Sequence, residues 1–578
     1  MASKIKKSGQ KIVRKFSRVS SKARAEGKEH IRENVFQRFS HIHNIRLLIV
    51  EWSLLVVALV LLAIAQAIWL GETYRNDVFV DGGTFSEATI GQINSMNPLF
   101  ASTNSEKVLS KLMFSTLTTV DYSGNVGMGL AKTLVPSESG RIWTMTLKDD
   151  IKWSDGESLT TEDVLFTIGL IQNSAVNTVY SANLAGVKVS ENDKGEVVFT
   201  LPSAYADFAE ALEIPIVPKH ELEDTEPKAL VEDEFSNAPV TSGAFMFNAL
   251  QAAPNTEESV VYLTSNPNYY LGKSMLNSFA VHTYEDLDDV LKAINSGTVT
   301  ATAELSNLDA DEVTSTSFIK RNSSIDSGAF IFFNTNNNVL KNKAIRSAIR
   351  QGIDIAALRE AAPETTPINY PLIDSQIKIS NYPAIPGYDY DSAKAKIAEI
   401  TGGAEITLNI TTVKSGYLPA VAEVLRSELE NLGIKSNVVT YDETQDFIAN
   451  VISRRNYDIL IYEIELGAEP DLLPYYHSSQ ASTSGLNLSN YRSSLVDDLL
   501  IGARETLDTT LRVKKYESIL EYWVADVPAI GIYQANMTYI YNKNVRIYGN
   551  DVRLVTPIDR FSDITNFAAV KSTRYKTP

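Results

Sequence analysis

Residues Leu47–Leu70 read LLIVEWSLLVVALVLLAIAQAIWL, an apolar run of 24 residues with only Glu51, Ser53 and Gln66 polar. A helix of about 20 apolar residues spans the hydrocarbon core of a bilayer, so the length fits a membrane crossing. Trp52 and Trp69 sit near the two ends, where interfacial aromatic rings are favoured. The residues before the run, 1–46, hold 13 Lys/Arg against 3 Asp/Glu. By the positive-inside rule this basic head stays in the cytoplasm as a tail, and everything beyond the helix is exported. The rival is a cleaved leader, for which Ala63-Ile64-Ala65 is a suitable site. The apolar run continues past that triplet and the basic region is far longer than a leader's, so a retained single-pass anchor is the expectation. Residues 71–81 then read as a short linker.

The chain has 578 residues, too many for one hydrophobic core. It contains no Cys, which excludes disulfides, thiolate metal sites, a Cys nucleophile and a lipid-modified Cys anchor. With 53 basic and 70 acidic residues in all, and a basic head, the exported body is strongly acidic. Such a surface argues against nucleic acid as a partner, since phosphate recognition needs basic patches.

The body alternates strand and helix signals. Trp143, Met145 and Leu147 alternate with polar residues as in a half-buried strand, with Ile151 and Trp153 expected as its partner across the Ser154-Asp155-Gly156 turn. Thr160 to Asp163 has a capping-box pattern that opens a helix bearing Val164, Ile168 and Ile171. Ile345, Ala348, Ile349 and Ile353 mark another helix. Over 406–464 the pattern is strand, helix, strand, short helix, strand: the stripe Leu418, Val421, Leu425, Leu429, Leu432 ends at Gly433. That is a βαβαβ unit, hence a parallel sheet covered by helices.

Catalytic constellations are missing. The His residues, at 30, 41, 43, 220, 282 and 477, are scattered and read as isolated, and no His/carboxylate group has metal spacing. Gly272-Lys273-Ser274 lacks the earlier Gly of a phosphate loop. No nucleophile, base and oxyanion donor come together, so the expectation is a protein that is not an enzyme and uses no cofactor or metal.

Several blocks together resemble one family. The strongest is Trp143–Phe166, WTMTLKDDIKWSDGESLTTEDVLF; around it stand Gly82-Gly83-Thr84, Asn97-Pro98-Leu99, Lys107–Asp121, Pro239–Phe245 (PVTSGAF), Asn266–Gly272 (NPNYYLG), Phe332–Asp354, Asn431–Ile434 and Pro528–Tyr533. The body is thus similar to the extracellular solute-binding proteins of family 5, the peptide/nickel-binding type that serves ABC transporters. The resemblance implies an α/β, two-lobed periplasmic-binding-protein-like fold (type II, large peptide-binding class). It implies lobe 1 at 82–330 with an extra subdomain at about 101–200, lobe 2 at 331–530, and a return segment at 531–578. It also implies an extracytoplasmic monomer that closes over an oligopeptide and delivers it to the permease subunits of an ABC importer. A glycan or metal chelate on the same fold, or a ligand-sensing module, are the alternatives.

In the family a carboxylate after the strand matching Tyr457–Ile464 pairs with the peptide's amino terminus. Here that stretch is Glu463-Ile464-Glu465, without the family's Trp and Asp, so either Glu463 or Glu465 is expected to substitute. Other ligand contacts implied by matched positions are Ser102, Thr103, Asn104, Tyr180, Ser242, Phe245 and Tyr533.

Overall fold

The computed structural model describes residues 46–121, 123–252, 258–442, 445–549 and 553–575; the basic head before Arg46 lies outside them. The chain divides into two units, residues 1–78 with 571–578, and residues 79–570. In the first, the helix Arg46–Tyr74 carries the window Ile49–Trp69, of mean hydropathy 2.3 and with none of it buried. A shell of Leu, Val and Ile exposed along its whole length is unfavourable in water. The segment expected as a linker continues this helix to Tyr74 and then runs as the strand Arg75–Val80, which pairs with Val570–Tyr575.

The second unit is organised by one sheet of 11 strands. From one edge its order is Ile434–Tyr441, Ile406–Val413, Ile459–Glu465, Phe318–Phe333, Ala529–Asn542, Ala301–Thr302, Thr84–Ile90, Ser278–Tyr284, Ser259–Ser265 and Phe245–Ala252, and the short strand Thr366–Pro367 pairs with Ala529–Asn542 off this path. The βαβαβ unit is present as read: Ile406–Val413 pairs in parallel with both Ile434–Tyr441 and Ile459–Glu465. The helix Leu418–Asn431 buries Leu418, Val421, Leu425 and Leu429. Gly433 follows at φ +87°, a left-handed turn that a side chain would strain. The helix Thr161–Gln172 starts where the capping pattern puts it, with the Thr160 N–H donating to Asp163 Oδ2 at 2.8 Å.

One strand partner differs from expectation. Ile142–Leu147 pairs with Ala131–Pro136 and Val197–Thr200 in a separate four-stranded sheet, completed by Lys188–Glu191. Ile151 and Trp153 are not in it. Their backbone is used locally, because the Trp153 N–H donates to the Glu157 carbonyl (2.8 Å) and the Leu159 N–H to the Ile151 carbonyl (3.0 Å).

Two large apolar cores form around the large sheet, beside a smaller cluster that includes Ala88, Val290, Ile294 and Ile540. The first holds Phe85, Leu109, Trp153, Phe199 and Phe279, and reaches Ile325 on one long strand and Ala535, Met537 and Tyr539 on the other. The second holds Ile349, Leu408, Leu425, Ile461 and Trp523, with Ala329–Phe333 and Ala529–Tyr533 on the same two strands. Phe318–Phe333 and Ala529–Asn542 therefore run antiparallel from one core into the other. Their register slips between Ser324 and Gly328, where the core changes. The lobe divisions expected after 330 and 530 fall inside these strands.

The return segment is fastened by a buried ion pair. Arg560 Nε and Nη2 lie 2.9 and 2.6 Å from Glu87 Oε1, with relative exposures of 2% and 0%. The Tyr539 hydroxyl donates to the other Glu87 oxygen at 2.8 Å. The two cores also meet through charges. Asp207 and Glu210, beside the short helix Phe208–Ala211, face Glu469, Asp471, Arg504 and Arg512. Asp207 pairs with Arg512, and the Ala468 N–H donates to Glu210 Oε1 at 2.7 Å. Four carboxylates meet two guanidinium groups, so negative charge is in excess. Burial, opposed by Arg512 and reinforced by Glu469, pushes Asp207 up to about 7. Burial, against the Ala468 N–H and with Asp207 beside it, pushes Glu210 up to about 8.

Two stability predictions result. Glu87→Gln leaves Arg560 buried without its counter-charge and costs about 3–5 kcal/mol, read from urea unfolding of the detergent-solubilised chain. Asp207 and Glu210 titrate higher when folded than when unfolded. Their contribution is therefore whole below the ordinary carboxylate range and is lost as pH rises through about 7 and 8. The chain is expected to be less stable at about pH 9 than at pH 6, by roughly 4 kcal/mol, and Glu210→Gln to shrink that difference. Equal stability at the two pH values refutes this account of the contact.

Candidate functional site

A cavity of about 630 Å³ opens where the first core meets the end of a second-core strand. The helix Asn104–Met113, the turn at Tyr180, Glu213, Glu304 and the segment Thr556–Arg560 wall it from one side. Glu465, the last residue of Ile459–Glu465, enters from the other.

The helix is placed by its own N-terminus. The Asn97 side chain accepts the Leu99 N–H (3.1 Å), turning the chain at Pro98. Thr103 then caps the helix, accepting the Glu106 N–H at 3.2 Å and donating to the Gln92 carbonyl at 3.0 Å. Buried Glu106 returns the bond: its carboxylate accepts the N–H groups of Asn94 (2.8 Å), Ser102 (2.8 Å) and Thr103 (3.1 Å). Burial acts to raise the Glu106 carboxyl, but these donors outweigh it and hold the group below its ordinary value.

Deeper on the same helix, Lys111 Nζ lies 3.0 Å from Glu213 and 3.3 Å from Asp559. Burial works against the Lys111 charge, yet the two carboxylates keep it above the ordinary lysine value. Glu213 is held up by burial, with Lys111 opposing and Asp559 adding repulsion. Burial pushes Tyr180 up to about 12, so its hydroxyl keeps its proton and can donate. The walls thus mix fixed charges, hydroxyls and apolar surface from Val108, Phe114 and Ala303. This suits a ligand bearing both charge and apolar groups.

Of the expected ligand contacts, Ser102, Asn104, Tyr180 and Glu465 line this one cavity. Thr103 serves as the helix cap. Ser242 is 1% exposed and joins the chain to Ser115, whose N–H it accepts at 3.0 Å. Phe245 packs edge-on to Phe279 at 5.8 Å in the first core. Ile464 and Tyr533 are buried in the second core. Tyr533 donates its hydroxyl to Glu463 at 2.9 Å, which distinguishes Glu463 from Glu465 at the cavity. Lys111, Glu213, Glu304, Asp559 and Arg560 were not legible in the sequence. His220, read as isolated, sits 2.9 Å from Asp155 and edge-on to Trp153, pinning the Trp-Ser-Asp-Gly turn; Glu221 is the third member of this exposed group.

Comparison with known proteins bears on this arrangement. Residues 125–485 match the family described as bacterial extracellular solute-binding proteins, family 5 Middle. The chain is 23% identical over 495 residues to the oligopeptide-binding protein AppA of Bacillus subtilis, covering 81% of this chain and 89% of that one. The structure of AppA in complex with a nonapeptide superimposes with a TM-score of 0.69 at 21% identity, over 85% of this chain and all of AppA. NikZ of Campylobacter jejuni, in complex with Ni(L-His), gives a TM-score of 0.70 at 22% identity over 84% of this chain and 99% of NikZ. The family match spans the four-stranded sheet, the core changeover at 325–329 and the βαβαβ unit, so it rests on the elements that build both lobes and not on one motif. The chain belongs to family 5 of the bacterial extracellular solute-binding proteins, and its fold is the two-lobed α/β fold of periplasmic binding proteins.

Proposed function

We propose that this protein is a membrane-tethered, extracytoplasmic receptor that captures oligopeptides and presents them to the permease of an ABC importer. The observation that carries this reading is the cavity itself: one core supplies most of its walls, and the second supplies Glu465. A ligand touching both sides binds the closed arrangement better than an open one and so shifts the population toward it. The two long strands, with their register slip at Ser324–Gly328, are the natural hinge. An extended peptide gains affinity from backbone hydrogen bonds, which read no side chain. Its α-ammonium would pair with Glu465, since Glu463 is engaged by Tyr533. The peptide-binding relatives support the ligand class. NikZ shows that a metal chelate can occupy this fold. No imidazole lines the cavity among the described residues, which favours an ammonium over a nickel complex.

The helix Arg46–Tyr74 is the tether in this reading, with the basic head in the cytoplasm, residues 82–330 and the return segment as one lobe and 331–530 as the other. The chain works as a monomer beside its permease.

Native mass spectrometry of the full-length protein in mild detergent is expected to show bound peptides, and nonapeptides to bind by calorimetry. Glu465→Gln weakens that binding by roughly 10- to 100-fold, the worth of one charge-assisted pair, while Glu463→Gln changes it less than about three-fold. If Glu465→Gln binds as wild type, the ammonium assignment fails. For the tether, protease applied to spheroplasts should remove the body and leave the N-terminal segment in the membrane. Release of an intact body lacking residues 1–65 would instead favour a cleaved leader.

A further inference from the structure

The charges lining the cavity do not balance. Lys111 is shared by Glu213 and Asp559, and Arg560 is taken by Glu87. Glu304 and Glu465 remain, and among the described residues neither has a cation within ion-pair distance. Lys107, exposed on the outer turn of the helix, offers one positive charge against these two. Glu304 is half-buried in the wall, and its carboxylate accepts a hydrogen bond from Asn104 Nδ2 at 3.0 Å. A carboxylate drawn partly out of water is stabilised by neutral donors far less than by a cation. Consistent with that, burial raises the Glu304 carboxyl despite Asn104, the more distant Arg560 and a backbone hydrogen bond from Ile90.

We propose that Glu304 recognises a second positive charge on the ligand, so that the cavity selects peptides with Lys or Arg at one of their first two positions. This rests on the reading of Glu465 as the partner of the peptide α-ammonium. A peptide has only one such ammonium, its internal amides are neutral, and its terminal carboxylate is repelled here. The charge that meets Glu304 must therefore come from a side chain. A cavity of about 630 Å³ is small enough that this side chain belongs to a residue next to the bound terminus. Glu304 acts here as a specificity residue. The rival role, fixing Asn104 alone, is one that glutamine fills equally well.

The test uses calorimetry on the full-length, detergent-solubilised protein. The probes are nonapeptides identical except for Lys, Ala or Glu at the first or the second position. Wild type is expected to bind the better Lys peptide about ten-fold more tightly than its Ala counterpart, with the preference shrinking as salt is raised. Glu304→Gln, which keeps an acceptor for Asn104, should bring Lys and Ala peptides within about two-fold. Glu304→Lys should reverse the order in favour of the Glu peptide. Equal binding of Lys and Ala peptides by wild type overturns the inference and leaves peptide binding standing. A preference that survives in Glu304→Gln overturns the assignment to this residue. Binding of none of the peptides overturns the underlying reading as well.

Discussion

The fold depends on one pairing, the long antiparallel contact between Phe318–Phe333 and Ala529–Asn542. Both strands lie in the second core along Ala329–Phe333 and Ala529–Tyr533, and reach the first through Ile325 on one and Ala535, Met537 and Tyr539 on the other. The register slips twice there, between Ser324 and Gly328 and again between Ala329 and Phe330. Gly328 sits at the slip, where an added Cβ would lie 2.8 Å from the Phe330 ring. The chain thus crosses between its two cores on a hydrogen-bonded ribbon, which resists shear while permitting bending at the slip.

Around that ribbon the charged groups divide by what they face. Arg560 and Glu87 are sealed inside the first core and serve to fix the return segment. The Asp207–Glu210 group lies where the cores meet and carries more acid than base. The cavity carries the same imbalance, in Glu304 and Glu465. A chain with 70 acidic and 53 basic residues is thus acidic at this cavity too, by placement and not only by composition.

The elements legible in the sequence are those whose signal is local. The 406–464 unit was readable because Leu418, Val421, Leu425 and Leu429 repeat at the helical period and a glycine closes the helix. The Thr160–Asp163 cap was readable for the same reason. Ile151 and Trp153 were misread because two apolar residues after a strand resemble its hairpin partner, while the loop Ile151–Leu159 closes on itself instead. The cavity was half legible: matched family blocks led to Ser102, Asn104, Tyr180 and Glu465, but equally to Ser242 and Phe245, since a block marks a neighbourhood and not the direction in which a side chain points. Lys111 and Asp559 stand 448 positions apart, and no periodicity or spacing reports such a meeting.

The ribbon also governs how the protein comes into being. The first core takes Ala535, Met537 and Tyr539 from the far end of the chain. That core cannot be completed until nearly the whole polypeptide is available, and its contacts close very long loops. Closure of the first core therefore waits for the end of the chain.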